Sequence, residues 1–274
     1  MNLLTKLNYL PVRRYNPETT DYVMRVIANG GTISDASVDA IEKFVQDCKN
    51  ALIWEKLLEV APFAGTGLNA AMVKLVYPAG VPGVLTNVNF VSGDYSETGV
   101  NGGLLGDGAT KYLNTGFNGQ SHLPDNAHMS FYLREDVSVA GNRSMIGVLQ
   151  ASDQYWLGSV TPATAVNARF GQTVSANLAA GMNRGFYVGS RTAINQLRLY
   201  KNGGLVASDS TSVTHARPNL PVYAFAWNSS GLAGAYLPAR GSFYSIGHGL
   251  DATEAAALNA AVQRLQHNLG RMVV

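Results

Sequence analysis

Hydrophobic and polar positions change their spacing at about residue 80, which divides the sequence into two regions. Before that point, apolar residues recur three or four positions apart, the spacing that places them on one face of a helix. We predict a short helix capped by Thr20, a second capped by Ser34, a third carrying Trp54 and a fourth over residues 68–75. Helices this short indicate a small packing layer and not an independent large domain.

From residue 84 onward, runs of β-branched and aromatic residues alternate with Gly, Asn, Asp and Ser, a pattern typical of an antiparallel sandwich or jelly roll. Tyr223, Phe225 and Trp227 alternate with alanines, so we place all three together in the core. Asn202 and Gly203 predict a two-residue hairpin turn. The predicted strands cover residues 84–91, 110–114, 128–134, 144–150, 154–159, 166–170, 185–191, 195–201, 204–208, 221–227 and 242–247.

A helix is predicted over residues 251–270, where Asp251 and Glu254 form a capping-box pattern ahead of an apolar stripe. The fold class is therefore mainly β: an antiparallel jelly-roll sandwich with a small N-terminal helical cap and a C-terminal helix. We divide the chain into an N-terminal arm, a helical cap and a β-sandwich closed by that helix. Their predicted bounds are residues 1–20, 21–80 and 81–274.

Composition excludes several classes of protein. A net charge of +2 over 274 residues is too weak to indicate a nucleic-acid partner. The single cysteine, Cys48, excludes a disulfide framework and a multi-cysteine zinc site. The sequence has no uncharged apolar run long enough to predict a membrane span. Its first residues lack the order of basic, apolar and small residues that a signal peptide has. We therefore expect a protein that stays in the cytoplasm where it is made or is released by lysis.

Catalytic and metal-binding patterns are weak. The glycine-rich stretch 102–108 lacks the Gly-Lys-Ser/Thr ending of a phosphate-binding loop, and no Gly-x-Ser-x-Gly occurs. The histidines do not have metal-ligand spacing, although Asp94, Glu97 and Asp107 leave a calcium loop as a minor alternative. We predict no cofactor, no metal and no catalytic residue.

Acidic residues are scarce in the second half of the predicted sandwich, where Asp209 is the only one between residues 154 and 250. A glycosidase needs two carboxyl groups across a cleft, so this scarcity argues against an enzyme. The same span has seven basic residues, which could attract an anionic polysaccharide or an acidic subunit. We favour two other interpretations. Either the acidic residues of the helices over residues 35–59 balance these basic charges, or the basic residues contact another protein.

Tyr155 and Trp156 are neighbours on one predicted strand, so one of the two rings should face outward. An outward aromatic ring on a sandwich is a candidate surface for stacking against a sugar. We therefore predict Tyr155 and Trp156 as the candidate ligand-binding residues.

Several segments are distinctive as a set. They are ISDASVDAIEKFV (33–45), ALIWEKLLEVAPF (51–63), NFVSGDYSETGV (89–100), GDGATKYLNT (106–115), GFYVGSRT (185–192), RLYKNG (198–203), SFYSIGHGL (242–250) and LGR (269–271). Together they resemble the concanavalin A-like, laminin-G-like jelly-roll proteins of tailed bacteriophages. These segments are turns, core aromatics and the closing helix. The chain departs from the family pattern at Trp227, where a smaller or polar residue is expected.

The resemblance implies a non-enzymatic virion structural protein, displayed as a head decoration, a head fibre or a tail-associated module. It implies assembly in the host cytoplasm, other virion proteins as partners, a homo-oligomer, and docking through the arm of residues 1–20. No catalytic residue follows from it. The alternative is a carbohydrate-binding module that recognises host surface polysaccharide.

Overall fold

The computed structural model describes residues 15–139, 141–160, 165–171, 175–179, 181–212 and 216–271, so most of the predicted arm lies outside the described residues. The helices are α1 (Pro17–Ala28), α2 (Asp35–Asn50), α3 (Leu68–Ala71), α4 (Gly119–His122) and α5 (Ala252–Asn268). The first strands are β1 (Leu57–Ala61), β2 (Thr86–Val88), β3 (Tyr95–Ser96), β4 (Gly103–Leu105), β5 (Tyr112–Asn118), β6 (Ala127–Leu133), β7 (Arg143–Gln150), β8 (Asp153–Val160) and β9 (Ala165–Gly171). They are followed by β10 (Ser175–Leu178), β11 (Gly185–Ala193), β12 (Gln196–Lys201), β13 (Gly204–Asp209), β14 (Pro221–Ala224), β15 (Trp227–Ser229), β16 (Leu232–Gly234) and β17 (Arg240–His248).

The strands form two sheets packed face to face. The inner sheet has the order β13-β12-β11-β6-β17-β4-β3, with β1 added on β17. The outer sheet has the order β10-β9-β8-β7-β14-β5-β2, with β15 and β16 attached. Pairing is antiparallel except between β15 and β7. Side chains such as Phe117, Phe131 and Ile146 fill the space between the sheets. The predicted jelly-roll sandwich with N-terminal helices and a C-terminal helix is confirmed.

A second core lies on the other face of the inner sheet. Strands of that sheet alternate, so Phe131 faces the outer sheet while Phe243 on β17 faces the helices. Phe44 on α2 packs edge-on against Phe243, with ring centroids 5.6 Å apart. Leu258 and Val262 on α5 belong to the same core. Thus α1, α2 and α5 form one helical layer, and the inner sheet is covered on both faces.

Local sequence signals at two helix starts are confirmed. The Ser34 side chain accepts a hydrogen bond from the Ser37 backbone N–H, which satisfies one of the free donors at the start of α2. Asp251 and Glu254 form the reciprocal bonds of a capping box. Helix α1 begins at Pro17, three residues before the predicted Thr20 cap, because proline at the first helical position already has a helical φ.

One predicted helix is wrong, and another is shorter than predicted. The segment after Ile53 is a single 3₁₀ turn, Trp54–Lys56, followed by strand β1. Its apolar residues pair with β17, so a strand partner far along the chain overrides the helical spacing. The candidate over residues 68–75 is helical only over Leu68–Ala71.

The placement of Tyr223, Phe225 and Trp227 on one core-facing side is also wrong. Strand β14 ends at Ala224, and Phe225 has a φ of +66°, in the left-handed region. That residue reverses the chain and breaks the alternation. Phe225 therefore lies in the core, whereas Tyr223 and Trp227 lie on the outer face of the outer sheet.

A buried ion pair joins β1 to the segment before β2. Glu59 and Lys74 are both fully buried, and the Lys74 Nζ lies 2.8 Å from the Glu59 Oε2. Tyr244 donates its hydroxyl to the Glu59 Oε1 at 2.7 Å, and Lys74 also donates to the Thr115 carbonyl. Burial raises the pKa of Glu59, and the Lys74 ammonium opposes that rise. Through Lys74, the pair connects β1 of the inner sheet to β5 of the outer sheet.

Candidate functional site

One lateral row of residues crosses the outer face of the outer sheet, one residue from each strand in register. Adjacent strands lie about 4.8 Å apart, so six steps across the sheet cover roughly 29 Å. We call this the aromatic row: Thr86, Asn114, Tyr223, Gly147, Trp156, Arg169 and Ser175. The residues at both ends of the row are polar, and its centre has aromatic rings on either side of a glycine.

Strand alternation puts Trp156 on this face. Tyr155 and Leu157 point into the core, where the Tyr155 ring packs edge-on against Phe170 at 5.4 Å. A Cβ on Gly147 would lie 2.3 Å from the Trp156 Cβ, and one on Gly158 would lie 2.9 Å from the Trp156 Cζ3. The two glycines therefore make the space in which the indole lies flat on the sheet.

Five rings gather around the row in two groups. The first group is built on Tyr112, whose ring centroid is 4.6 Å from that of Tyr223 and 6.3 Å from that of Tyr236. In the second, Trp156 and Trp227 meet edge to face at 5.6 Å and 87°. Trp156 is 1% exposed and Tyr223 is 8% exposed, whereas the other three rings are half-buried. The covered rings thus support three rings that reach solvent.

Polar groups lie beside the tryptophans. The Gln154 Oε1 accepts hydrogen bonds from the Trp156 Nε1 at 3.3 Å and from the Arg169 Nη1 at 3.1 Å. The Arg169 guanidinium lies 5.5 Å from the centroid of the Trp156 ring, within the range of a cation–π contact. Across the sheet, Asn114 faces the same side. This surface offers flat apolar faces next to amide, guanidinium and phenol groups.

Of the two residues predicted from the sequence, only Trp156 lies on the outer face, since Tyr155 is fully buried between the sheets. Sequence reasoning did not place Tyr112, Tyr223, Tyr236 and Trp227 on the outer face of the outer sheet. The signal for Tyr112 was present, because β5 alternates strictly and its core positions are Leu113 and Phe117.

A serine and histidine cluster lies apart from this surface. The His128 Nε2 is 2.9 Å from the Ser245 Oγ, and the Ser130 Oγ is 2.6 Å from the same oxygen. The His128 Nδ1 donates to the His248 carbonyl at 2.7 Å, which leaves Nε2 as the acceptor. Burial lowers the pKa of His128 to about 4. His128, Ser130 and Ser245 are all fully buried, so this cluster presents no nucleophile to a substrate.

The three carboxylates considered for calcium are each held by their own neighbours. Asp94 pairs with Lys111 at 2.7 Å, and the Glu97 Oε1 accepts the Gly65 N–H at 2.6 Å. The Asp107 Oδ1 accepts three backbone N–H groups from residues 109–111. Among the described residues, no three His, Cys, Asp or Glu side chains are grouped to hold a metal ion.

The basic residues of the second half do not form one surface. Arg240 is buried and lies 3.3 Å from Glu135, and Arg191 is buried elsewhere in the sandwich. Arg198 is on the inner sheet, and Arg169 is on the outer one.

Within the described chain, no helix is long and apolar enough to cross a membrane.

Comparisons with known proteins give distant structural likenesses. No protein-family model matches the chain, and no curated protein matches it. A structure of botulinum neurotoxin type C, whose cell entry depends on interaction with two ganglioside molecules, matches at TM-score 0.41 and 13% identity over 58% of this chain. The Ruminococcus gnavus IT-sialidase CBM40 matches at TM-score 0.40 and 13% identity over 49% of this chain and 82% of its own. A second CBM40 structure, bound to alpha2,3 sialyllactose, matches at 0.40 and 15% identity over 50% of this chain and 83% of that one.

The chain spans 42% of the length of the type C neurotoxin structure it matches. Likenesses at these TM-scores assign no function to this chain.

Proposed function

We propose that this protein is a non-enzymatic glycan-binding module and that its binding surface is the aromatic row together with the rings of Tyr112, Tyr236 and Trp227 beside it. The observation that supports the proposal is the set of half-buried rings, Tyr112, Tyr236 and Trp227, gathered on one face of the outer sheet. Soluble proteins rarely expose grouped aromatic surface without a ligand or partner for it.

The chemistry of the surface suits a sugar chain. A pyranose ring has an apolar C–H face and a rim of hydroxyl groups, so it needs a flat apolar partner beside hydrogen-bonding groups. The aromatic rings supply the flat apolar partner, and the side chains of Gln154, Asn114 and Arg169 supply the hydrogen-bonding groups. A row of roughly 29 Å accommodates several sugar units across the strands.

The rings are also held in place before any ligand binds. Trp227 lies over Gly234, where a Cβ would come within 2.7 Å of the indole nitrogen, and its edge contacts Trp156. Tyr112 rests against Tyr223, whose strand is paired on both sides. A side chain that is already fixed loses little conformational entropy on binding, which favours affinity.

The test is a glycan array followed by titration of the glycans that bind. Trp227→Ala and Tyr112→Ala should each weaken binding by about tenfold or more, because each removes an aromatic contact of about 1.5 kcal/mol. Tyr77→Ala is the matched control, since Tyr77 is a half-buried tyrosine that packs against Arg25 on the helical layer. Unchanged affinity in both outer-face variants, or a loss confined to Tyr77→Ala, would contradict this assignment of the surface.

The expected location on a phage particle is a further proposal that rests on the sequence resemblance. A displayed module that binds host polysaccharide is compatible with it. Quantitative mass spectrometry of purified particles from the same genome should give a fixed ratio to the major capsid protein. Absence from particles would remove the virion role and leave glycan binding by the free protein.

A further inference from the structure

Arg169 is a half-buried cation at one end of the aromatic row, next to Ser175. Its guanidinium has five N–H donors, and the hydrogen bond it makes is to Gln154. The Arg169 Nε is buried and has no hydrogen-bond partner among the described residues. Within that part of the chain, most of the hydrogen-bonding capacity of this side chain is therefore unused.

The positive charge of Arg169 also lacks an acidic partner within the described residues. Arg240, by contrast, pairs with Glu135, and Arg25 pairs with Asp21. Arg169 forms no ion pair with any acidic side chain among the described residues. Burial lowers its pKa, and no carboxylate opposes that effect. A partly desolvated charge without a counter-charge is unfavourable unless a ligand provides one.

The sequence agrees with this view of the site. Between residues 154 and 250 the only acidic residue is Asp209, which lies on β13 of the inner sheet. The outer face around Arg169 thus combines a cation, a tryptophan and an amide. A sugar ring packed against the half-buried Trp227 would place an anionic substituent near the Arg169 guanidinium and the Gln154 amide.

We propose that the aromatic row selects acidic glycans, with Arg169 pairing with a carboxylate or sulfate while the rings pack against the sugar. This inference rests on the proposed glycan-binding function of the same surface. Arginine suits this role because its planar fork matches the oxygens of both anions.

The experiment uses the full-length chain on an array that contains carboxylated, sulfated and neutral glycans, with carboxyl-reduced counterparts of the acidic ones. We expect the acidic glycans to bind and their reduced counterparts to bind about 10- to 100-fold more weakly, the range of a charge-assisted hydrogen bond. Arg169→Gln should remove that difference, and Arg169→Lys should restore part of it. Arg198→Gln, with the same charge change on the inner sheet, should leave it intact.

The outcomes separate the two proposals. Binding confined to neutral glycans, or acidic preference that survives in Arg169→Gln, overturns the role of Arg169 and leaves the glycan-binding function standing. Binding of no glycan at all overturns both. The carboxylated and sulfated arms of the array identify the anion, and melting temperatures of the variants show whether each is folded.

Discussion

Replacing Lys74 by methionine tests the physical account of the buried ion pair. The substitution keeps an unbranched side chain, shorter by one heavy atom, and removes its charge. It leaves the Glu59 carboxylate fully buried with Tyr244 as its remaining hydrogen-bond donor. It also frees the Thr115 carbonyl, which accepts a hydrogen bond from Lys74 in the native chain.

Removing one partner of a buried pair costs about 3–5 kcal/mol, because the other charge stays desolvated. For a chain of this size that corresponds to a fall in Tm of about 10 °C. The loss depends on pH. Burial already raises the pKa of Glu59 above its ordinary value of 4.5, and losing the Lys74 ammonium raises it further. Above that raised pKa the full penalty is present, and it shrinks as pH falls toward 4.5 and Glu59 becomes protonated.

The assay is urea unfolding of the native chain and of Lys74→Met at pH 7 and pH 5. The difference in the free energy of unfolding between the two proteins is taken at each pH. The double variant Glu59→Gln, Lys74→Met removes both charges and should regain most of the loss. A loss below about 1 kcal/mol at pH 7, or a loss that is the same at both pH values, refutes the reasoning.

Two further stability predictions concern other sites. Gly147→Ala should lower the free energy of unfolding by about 1–3 kcal/mol, because its Cβ would lie 2.3 Å from the Trp156 Cβ. Gly93→Ala is the control and should change stability little, since Gly93 has open space around it. Equal losses of the two variants in thermal unfolding would contradict this reasoning. His128 has a pKa of about 4 against an ordinary 6.5, so stability should fall as pH drops from about 6.5 to about 4, by an amount on the order of 3 kcal/mol. His128→Asn should flatten that fall, and a pH profile that keeps its slope in the variant would rule out His128 as its source.

Local signals in the sequence were sufficient where a segment's environment is set by its own neighbours. Helix α2 follows from Ser34 and from apolar residues at helical spacing, and α5 follows from its capping box. The Asn202-Gly203 turn forms as expected, because Lys201 pairs with Gly204 and both turn residues have positive φ.

Signals failed where distant partners decide the structure. Residues 57–61 have a helical pattern, yet they form a strand because β17, nearly 200 residues further on, offers them an edge. The left-handed φ of Phe225 could not be read from a run that alternates so regularly. For the same reason the aromatic row was found only in part: it is assembled from seven strands, and register between strands is not encoded in any one of them.

The helical layer also fixes where a tether would enter the molecule. The described chain begins at Tyr15, bonded to Asp39 on α2, and ends at Arg271, just after α5. The inner sheet and a sheet-to-sheet spacing of about 10 Å separate this side from the outer face. A linkage that enters the described fold at Tyr15 or Arg271 therefore approaches from the side opposite the aromatic rings and leaves them turned toward solution, the orientation that a sensor chip or a displayed array requires.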